Sequence, residues 1–256
     1  MIHPQAIIEP GAKLGKNVQV GPWTYIGNDV EIGDDCIIHS HVVIKGTSKI
    51  GSGNHIFQYS SIGEDCQDKK YAGEATRLEI GNNNVFRENC TIHRGTIQDE
   101  SVTIIGDDNL FMAGAHVAHD CVIGSHGIFA NQVCLAGHCH VGDWVIFGGM
   151  SGAHQFSHVG SHCFVGGGGI VIKDIPPYVM VAGHPASVFG LNSEGLKRRG
   201  FDKDVILQVK RAYKEVYRKN KTIKEATEAL AESVSNCQEV KDFVDFINNS
   251  SRGIIR

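Results

Sequence analysis

Aliphatic residues recur at every sixth position through most of the first two thirds of the chain. Ile8 begins a first series that runs unbroken to Ile62, and a series in a shifted register runs from Ile105 to Val171. The pattern lapses near residues 67–79 and again near residues 95–104. A period of six fits neither an α-helix nor simple strand alternation. It indicates a short strand followed by a turn, repeated many times.

Hexapeptide repeats of this kind predict a parallel β-helix, in which each coil stacks on the previous one. The aliphatic residue points into the prism, and the glycine that often follows it, as at Gly15 and Gly33, is expected to permit the tight corner. With three hexads per coil, residues about 18 apart lie one above another at roughly the inter-strand spacing. The chain is therefore predicted to be an all-β parallel β-helix over residues 1–187.

Both interruptions are predicted to leave the prism as loops. The first, residues 67–79, is polar and carries both signs of charge. It is either a solvated decoration or, because loops on rigid scaffolds carry binding sites, a wall of a site. The second, residues 95–104, is shorter and has fewer charges, which favours a solvated connection.

The six-residue pattern ends near Pro176 and Pro177, which cannot donate strand hydrogen bonds. Residues 188–256 are predicted to form a small α-helical domain. Asp202 can cap a helix over Lys203–Lys219, and Thr222 with Glu225 forms a capping box for a second helix. A third helix is predicted over Glu239–Asn248. So few helical residues cannot build a large core, so they should pack on the prism or on a neighbouring chain.

Histidines gather at one predicted corner of the coil. Val117, Leu135 and Ala153 are 18 residues apart and should stack. His119 follows Val117 by two residues, His138 follows Leu135 by three, and His154 and Gln155 directly follow Ala153, with His116 close by. A neutral imidazole can take a proton from an attacking hydroxyl, so we interpret His119 as a general base.

Two other interpretations of this corner stay open. The histidines could be structural, or they could bind zinc as in the γ-class carbonic anhydrases, which share the predicted fold. A general base also needs a partner that orients it. Asp120 is adjacent, but strand alternation would turn it away from His119 unless the corner redirects it.

Composition limits the classes of function. The net charge of −4 does not favour nucleic acid or an anionic membrane surface. No apolar run is long enough to span a bilayer, and the first residues lack the features of a secretory signal. Eight scattered cysteines without a CxxC pair are interpreted as free thiols, so a cytoplasmic protein is expected.

Several motifs in one order go beyond the repeat, and they cover nearly the whole chain. Together they resemble the UDP-N-acetylglucosamine 3-O-acyltransferases that begin lipid A, and hence lipopolysaccharide, biosynthesis. The left hand of the β-helix is implied by this resemblance. The motifs are Gln67-Asp68, Lys70-Tyr71-Ala72-Gly73-Glu74, Thr91-Ile92-His93-Arg94-Gly95-Thr96, His116-Val117-Ala118-His119-Asp120-Cys121, Leu135-Ala136-Gly137-His138, His154-Gln155-Phe156 and Asn192-Ser193-Glu194-Gly195-Leu196-Lys197-Arg198-Arg199-Gly200.

The resemblance implies transfer of an (R)-3-hydroxyacyl group from acyl carrier protein to the 3-hydroxyl of UDP-N-acetylglucosamine. His119 would be the general base with Asp120 beside it, and the Gly137 amide would stabilise the oxyanion. The hydroxyl would attack the thioester directly, without an acyl-enzyme. No metal and no cofactor is expected, because the acyl donor is carried on the phosphopantetheine of the carrier protein.

The resemblance also implies the substrate-binding residues. Gln67, Asp68, Lys70 and His116 would bind the sugar, and His138, His154 and Gln155 would line the same cleft. Asn192, Glu194 and Arg198, with Arg199 beside them, would bind the uridine diphosphate. Gly167, next to Phe164, would measure the acyl chain, and glycine there favours a longer chain. The implied assembly is a homotrimer, with Lys197, Arg198, Arg199, Lys203 and Lys210 as docking charges for the acidic carrier protein.

Three alternatives remain open in the sequence. Gly183-His184-Pro185-Ala186 is similar to a segment of other hexapeptide acyltransferases, including the N-acyltransferase that acts on an amino sugar. A metal-dependent hydratase could use the same prism. A scaffold without catalytic activity would need none of the histidines.

Overall fold

The computed structural model describes residues 1–234 and 236–256, and in these residues 27 strands precede five helices. The strands form three parallel sheets, which we call faces 1, 2 and 3. Face 1 contains β1 (Ile7–Ile8), β4 (Tyr25–Ile26), β7 (Val43–Ile44), β10 (Ser61–Glu64), β13 (Thr91–His93), β16 (His116–Val117), β19 (Cys134–Leu135), β22 (Gly152–Ala153) and β25 (Ile170–Val171). Face 2 contains β2 (Lys13–Leu14), β5 (Val30–Ile32), β8 (Thr47–Ile50), β11 (Arg77–Ile80), β14 (Val102–Ile105), β17 (Val122–Ile123), β20 (His140–Val141) and β23 (His158–Val159).

Face 3 completes the triangular prism and continues into a hairpin. Its strands are β3 (Gln19–Val20), β6 (Ile37–Ile38), β9 (His55–Ile56), β12 (Val85–Phe86), β15 (Leu110–Phe111), β18 (Ile128–Phe129), β21 (Ile146–Phe147), β24 (Phe164–Val165), β26 (Val179–Ala182) and β27 (Ser187–Leu191). β26 and β27 pair antiparallel. The predicted domain division at residue 187 therefore falls at the first residue of β27.

The predicted register of the coil is confirmed. Val117 pairs with Leu135, and Leu135 pairs with Ala153, so the three stack on face 1. The repeating aliphatic residues fill the interior of the prism, and from Phe86 onward a column of phenylalanines does so on face 3. The rings of Phe86, Phe111, Phe129 and Phe147 stack with centroids 4.6 to 5.7 Å apart.

The corners are built differently from the prediction. Most glycines that follow the aliphatic residue, such as Gly15 and Gly33, do not have positive φ. They are needed because a Cβ there would lie within 2.8 Å of the next coil. The left-handed residue comes two positions later and is often not glycine, as at Asp35, Asp120 and His138, with φ near 60°. Asp and Asn tolerate this conformation best among non-glycine residues.

Five helices follow the coil: α1 (Ser193–Arg198), α2 (Lys203–Tyr217), α3 (Ile223–Ala229), α4 (Ala231–Val234) and α5 (Gln238–Asn249). The capping box of Thr222 and Glu225 is confirmed. Asp202 is the N-cap residue of α2 but makes no side-chain cap hydrogen bond, so its predicted capping role is wrong. In the part of the chain that is described, no helix is long and apolar enough to cross a membrane.

The helical segment packs on the last coils, as expected. Phe201 places its ring edge against His162, with centroids 5.0 Å apart. Asp174 is buried at the end of the coil and accepts hydrogen bonds from Ser250 Oγ at 2.6 Å and from the His158 amide at 2.9 Å. These contacts fix the C-terminal residues beside the coil.

Candidate active site

His119 lies in the turn after β16 and forms a dyad with the residue that follows it. Its Nδ1 is 2.8 Å from Asp120 Oδ2, and its side chain is 14% exposed. The ring lies against the Gly137 backbone of the next coil, where a Cβ would be 2.6 Å from Cε1 and 2.7 Å from Nε2. Asp120 therefore occupies Nδ1, and Nε2 is the nitrogen that can exchange a proton with a substrate.

The corner does redirect Asp120 toward His119. Asp120 has φ of +58°, and its amide donates to Thr103 Oγ1 at 2.8 Å. Its carboxylate is buried and accepts two hydrogen bonds from Thr96, from the amide to Oδ1 at 2.8 Å and from Oγ1 to Oδ2 at 2.6 Å. Burial by itself raises the pKa of Asp120, but the hydrogen bonds from His119 and Thr96 together lower it. The carboxylate is thus held in its charged form.

His138 lies on the same corner, one coil further on. Its ring is perpendicular to that of His119, with centroids 5.0 Å apart, and it stacks on Phe156 at 4.3 Å. His138 Nδ1 lies 2.8 Å from Asp99 Oδ2, which accepts its hydrogen bond. His138 is therefore a second imidazole oriented by a carboxylate.

His154 and Gln155 belong to the following coil and are exposed. His154 Nδ1 lies 3.2 Å from the Gln155 carbonyl oxygen, and the same carbonyl accepts a hydrogen bond from Arg252 at 3.0 Å. The predicted stacking order is present, with both side chains on the outer side of the corner.

His116 and His93 line face 1 beside the dyad. His116 Nδ1 is 2.7 Å from Thr91 Oγ1, and its ring meets that of His93 edge-on at 5.0 Å. Burial lowers the pKa of His93 to about 4, and neighbouring His116 adds to this effect. Burial, and then His119, also lowers the pKa of His116. The neutral form of both imidazoles is thus favoured. His93 was not among the site residues predicted from the sequence.

The second insertion is part of the site, so the expectation of a solvated connection is wrong. It supplies Thr96 to Asp120 and Asp99 to His138. Neither residue could be linked to the dyad by spacing, because they precede their partners by 24 and 39 residues. The sequence did contain a signal that this insertion lies at the site. Ile92 pairs with Val117, so Arg94 occupies the same coil position as His119, and the insertion begins directly after Arg94.

The first insertion is tied to the prism by Arg94. The buried guanidinium donates to the Gly63 carbonyl at 2.6 Å and to Tyr71 Oη at 3.0 Å, and it forms an ion pair with Asp65. Gly46 makes room for it, because a Cβ there would lie 1.9 Å from Nη1. Arg94 thus binds residues of the coil just before the loop, Gly63 and Asp65, and also Tyr71 within the loop.

Three of the four predicted sugar-binding residues, Gln67, Asp68 and Lys70, lie on this loop, and the fourth, His116, lies on β16. The Lys70 amide donates to Asp68 Oδ1 at 2.9 Å, which closes a tight turn, and the Asp68 amide donates to Cys66 Sγ at 3.1 Å. Gln67 and Lys70 have exposed side chains. After burial, the charges of Asp68, Asp120 and Glu74 raise the pKa of Cys66. The two amide hydrogen bonds fix the turn that carries these predicted sugar-binding side chains.

Arg94→Ala is expected to raise the KM for the sugar substrate, which is predicted to bind the first insertion, about tenfold or more. The hydrogen bonds of the guanidinium are lost, so this loop is no longer held against the prism. Arg94→Lys should restore part of the loss, since a lysine keeps the charge but not the forked geometry. Steady-state kinetics for both substrates measure this effect. Arg87→Ala, which removes an exposed pair with Glu88, is the control. An unchanged KM for both substrates in Arg94→Ala would contradict the assignment.

The predicted nucleotide-binding residues lie at another corner. Asn192 is buried, donates to the His162 carbonyl at 2.9 Å and caps α1 by accepting from the Gly195 amide at 3.1 Å. The Arg199 guanidinium lies 3.2 Å from His162 Nδ1 and 5.3 Å above the ring of Trp144. Glu194 pairs with Lys197 at 2.7 Å, and Arg198 is exposed.

These residues and the His119 dyad are separated within one chain. Trp144 and His162 are the left-handed residues of the corner between faces 2 and 3, whereas His119 lies at the corner between faces 1 and 2. Burial, and then Arg199, lowers the pKa of His162 to about 4. The His119 corner and the predicted diphosphate-binding residues therefore do not share one cleft within a single chain.

The predicted acyl-chain residues lie near the third corner. Gly167 is exposed at the corner between faces 3 and 1, where a Cβ would meet only the Gly149 carbonyl, at 3.4 Å. Phe164 is half-buried on face 3. Between this corner and His119, face 1 presents Cys134, Gly152 and Ile170 in register above His116. These small and apolar residues leave a strip that suits a hydrocarbon chain.

Among the described residues, one group could hold a metal ion. It consists of His119, Asp120 and His138, whose possible ligand atoms lie within 4.8 Å of one another. The arrangement does not fit an open metal site. Both Asp120 oxygens accept hydrogen bonds, and Nδ1 of each histidine is paired with a carboxylate. An ion bound to Asp120 would compete with its hydrogen bonds from Thr96 and His119, so the group is better described as a hydrogen-bonded dyad with a second imidazole beside it.

Comparison with known proteins identifies similar chains over the full length. Residues 174–255 match the family described as UDP-N-acetylglucosamine O-acyltransferase, domain 2, and residues 11–46 and 103–137 match the bacterial transferase hexapeptide repeat. The acyl-[acyl-carrier-protein]–UDP-N-acetylglucosamine O-acyltransferase of Saccharophagus degradans is 50% identical over 255 residues, which is 100% of this chain and 99% of that protein.

Solved structures show the same fold over the whole chain. LpxA of Acinetobacter baumannii is 48% identical, with a TM-score of 0.97 over 100% of this chain and 99% of that chain. The UDP-N-acetylglucosamine acyltransferase of Francisella novicida is 42% identical, with a TM-score of 0.98 over 100% of this chain and 94% of that chain. The similarity includes both the coil and the helical segment.

Proposed function

The chain belongs to the UDP-N-acetylglucosamine O-acyltransferase family, and from this premise we propose how its residues carry out the reaction. Its coil is the left-handed parallel β-helix of that family, followed by a small helical domain. It is an acyltransferase that moves an acyl group from acyl carrier protein to UDP-N-acetylglucosamine. The acyl group is an (R)-3-hydroxyacyl chain and the acceptor is the sugar 3-hydroxyl, which makes this the first step of lipid A biosynthesis.

His119 is the general base, and the observation that carries this assignment is its bond with Asp120. That bond leaves Nε2 free to remove the proton from the 3-hydroxyl. The oxygen then attacks the thioester carbonyl and forms a tetrahedral oxyanion. When the intermediate collapses, the C–S bond breaks and the phosphopantetheine thiolate takes the proton from the His119 imidazolium. The step needs no acyl-enzyme.

The Gly137 amide stabilises the oxyanion. Among the hydrogen bonds of residues 1–234 and 236–256, none uses the Gly137 N–H, whereas the amides on either side donate to the Ala153 and His119 carbonyls. An unpaired amide next to His119 Nε2 can donate to the developing negative charge. Such a donor typically contributes about 3 kcal/mol to the transition state.

The cysteines do not supply a nucleophile in this mechanism. Cys134 is the exposed cysteine closest to the dyad along face 1, in register with His116. Burial of its sulfur raises the pKa of Cys134, so it stays a thiol at neutral pH. This supports direct attack by the sugar hydroxyl.

The sugar is bound between the first insertion and face 1. Gln67, Asp68 and Lys70 approach from the loop, and His116 approaches from β16. Because burial lowers its pKa, His116 offers a neutral imidazole to a sugar hydroxyl. His138, His154 and Gln155 line the corner above.

The complete site is formed by two chains of a homotrimer. The separation of the His119 corner from Asn192, Glu194, Arg198 and Arg199 within one chain supports this, because a second chain has to bring the diphosphate-binding residues to the dyad. A guanidinium such as that of Arg198 matches a diphosphate in charge and geometry. The acyl chain lies between the prisms and ends near Gly167, so a larger residue there would shorten the accepted chain.

Face 3 offers the surface for this assembly. It presents an apolar column in register and half-buried, formed by Val85, Leu110, Ile128, Ile146 and Phe164. Ile128→Arg places a charge in the middle of the column and is expected to yield monomers with little activity. Analytical ultracentrifugation measures this change, with Lys49→Arg on face 2 as the control. A stable trimer in Ile128→Arg would contradict this interface.

The donor docks beside the helical segment, where Lys197, Arg198, Arg199, Lys203 and Lys210 provide positive charge for acidic acyl carrier protein. No cofactor beyond the phosphopantetheine of the donor is required. The protein acts in the cytoplasm, in keeping with eight cysteines that are all free thiols.

An acyl-transfer assay tests this function. Carrier-linked 3-hydroxyacyl chains of several lengths are incubated with UDP-N-acetylglucosamine and, separately, with its 3-amino analogue, and the products are identified by mass spectrometry. We expect the O-acylated product, with a preference for a long chain because Gly167 has no side chain. Exclusive acylation of the amine would favour an N-acyltransferase, and no transfer to either acceptor would overturn the proposal.

A further inference from the structure

The second insertion contacts the dyad through one residue that has no assigned role. Thr96 follows β13 and is buried, with 2% of its surface exposed. Its amide donates to Asp120 Oδ1 at 2.8 Å, and its hydroxyl donates to Asp120 Oδ2 at 2.6 Å. One residue therefore binds both oxygens of the carboxylate that orients His119.

We propose that Thr96 is a positioning residue of the active site and completes a His119–Asp120–Thr96 triad. It acts on the reaction through Asp120 and does not touch the substrate. This inference rests on the proposed role of His119 as general base.

The first consequence of the triad is geometric. A carboxylate can rotate about its bond to Cβ, and the two donors of Thr96 fix the plane in which Oδ2 faces His119 Nδ1. With Nδ1 held as the donor, Nε2 carries the lone pair and points away from Asp120. Without Thr96, the Asp120 carboxylate would keep a single hydrogen bond, from His119, because the bond to Thr103 Oγ1 is made by the Asp120 amide.

The second consequence is electrostatic. Asp120 Oδ2 accepts from both the Thr96 hydroxyl and His119 Nδ1, so the hydroxyl shares the negative charge that would otherwise act on the imidazole alone. Without the hydroxyl, the carboxylate stabilises the His119 imidazolium more strongly. The acidic limb of the pH profile of kcat/KM should then move to higher pH.

The insertion is also anchored at its other end. Asp99 binds His138 Nδ1 at 2.8 Å, and the Asp99 amide donates to the Thr96 carbonyl at 3.3 Å. His138 Nε2 in turn lies 3.9 Å from Asp120 Oδ2. The turn thus binds two successive coils, Asp120 through Thr96 and His138 through Asp99, which gives Thr96 a fixed position.

Other ionisable groups lie near the dyad, and none of them is the hydrogen-bond partner of the Thr96 hydroxyl, which donates to Asp120. They are His138 in the next coil, His116 and His93 on face 1, Asp99 in the second insertion and Cys66 in the first. A shift in the pH dependence after a substitution at Thr96 can therefore be attributed to the hydroxyl.

The test compares Thr96→Val with Thr96→Ser in the full-length enzyme, with kcat/KM measured from pH 5 to 9. Thr96→Val keeps the amide and removes the hydroxyl. It should lower kcat/KM at neutral pH about tenfold, because a hydrogen bond to a charged group is lost. The acidic limb should move up by about one pH unit, so the defect becomes smaller at high pH. Thr96→Ser should restore kcat/KM at neutral pH and return the acidic limb of the profile to its wild-type position.

Thr24→Val is the matched control, because Thr24 is equally buried and its hydroxyl bonds the His39 carbonyl at 2.6 Å, far from the dyad. It should change thermal stability without moving the limb. The proposal is overturned if the Thr96→Val profile overlays the wild-type profile, or if Thr96→Val and Thr96→Ser lose activity equally at every pH. Full activity of His119→Ala in the same series would instead show that the proposed function itself is wrong.

Discussion

His119→Ala is expected to reduce kcat by about a thousandfold while the fold and the trimer are retained. The side chain is the general base in the proposed mechanism, and general acid–base catalysis contributes about 10² to 10⁴ in rate. It makes no contact that the coil needs, because Val117 and Leu135 fill the interior and the ring lies outside the prism. The measurement is kcat at saturating donor and acceptor, together with circular dichroism and sedimentation.

A histidine at another corner provides the control for this substitution. His41 is the left-handed residue of a corner in an N-terminal coil, where its ring lies between those of Trp23 and Tyr59, tilted against both. His41→Asn keeps a residue type that tolerates positive φ and should leave kcat unchanged. A His119→Ala enzyme with kcat within tenfold of wild type would contradict the assignment of the base.

Gly137→Ala is expected to reduce kcat about a hundredfold or more, although it adds a single methyl group. Gly137 does not have positive φ, so the substitution causes no backbone strain. The new Cβ would instead lie 2.6 Å from His119 Cε1 and 2.7 Å from Nε2, closer than real contacts allow. The ring has to turn, which breaks its bond with Asp120 and blocks the approach to the oxyanion donor. Loss of one such donor alone costs about 10² to 10³ in rate.

This effect should appear in kcat with a small change in melting temperature, because the methyl group displaces one side chain at the surface of the coil. Gly190→Ala is the control, since nothing lies within 4 Å of a Cβ there. If Gly137→Ala retains most of its activity, the ring of His119 does not need to lie against this backbone during the reaction.

The repeat made most of the fold predictable. A six-residue spacing of aliphatic residues fixes which residues stack, and the pairing of Val117 with Leu135 and of Leu135 with Ala153 follows from it. The corner geometry did not follow, because glycine was assumed to provide the turn. The left-handed residue lies two positions later, and this displacement is what turns Asp120 toward His119.

The residues that fix the dyad, His138 and the first insertion were harder to predict for a physical reason. Thr96, Asp99 and Arg94 act through side chains that leave the regular coil, and no periodicity links them to residues many positions away. The resemblance assigned Asn192, Glu194 and Arg198 to the uridine diphosphate, and the chain places them at a different corner from His119. Spacing along the sequence does not show how far these residues lie from His119.

The most direct test of the mechanism is acyl transfer by wild-type enzyme that has been stripped of metal with a chelator. In a single turnover with acyl-carrier-linked 3-hydroxyacyl donor and UDP-N-acetylglucosamine, product is followed by mass spectrometry, and the protein is examined for a covalently bound acyl group. Base catalysis by the His119–Asp120 dyad predicts an undiminished rate and no acyl-enzyme. Activity that disappears on chelation and returns with added zinc, or an acyl group that accumulates on the protein before product forms, would contradict it.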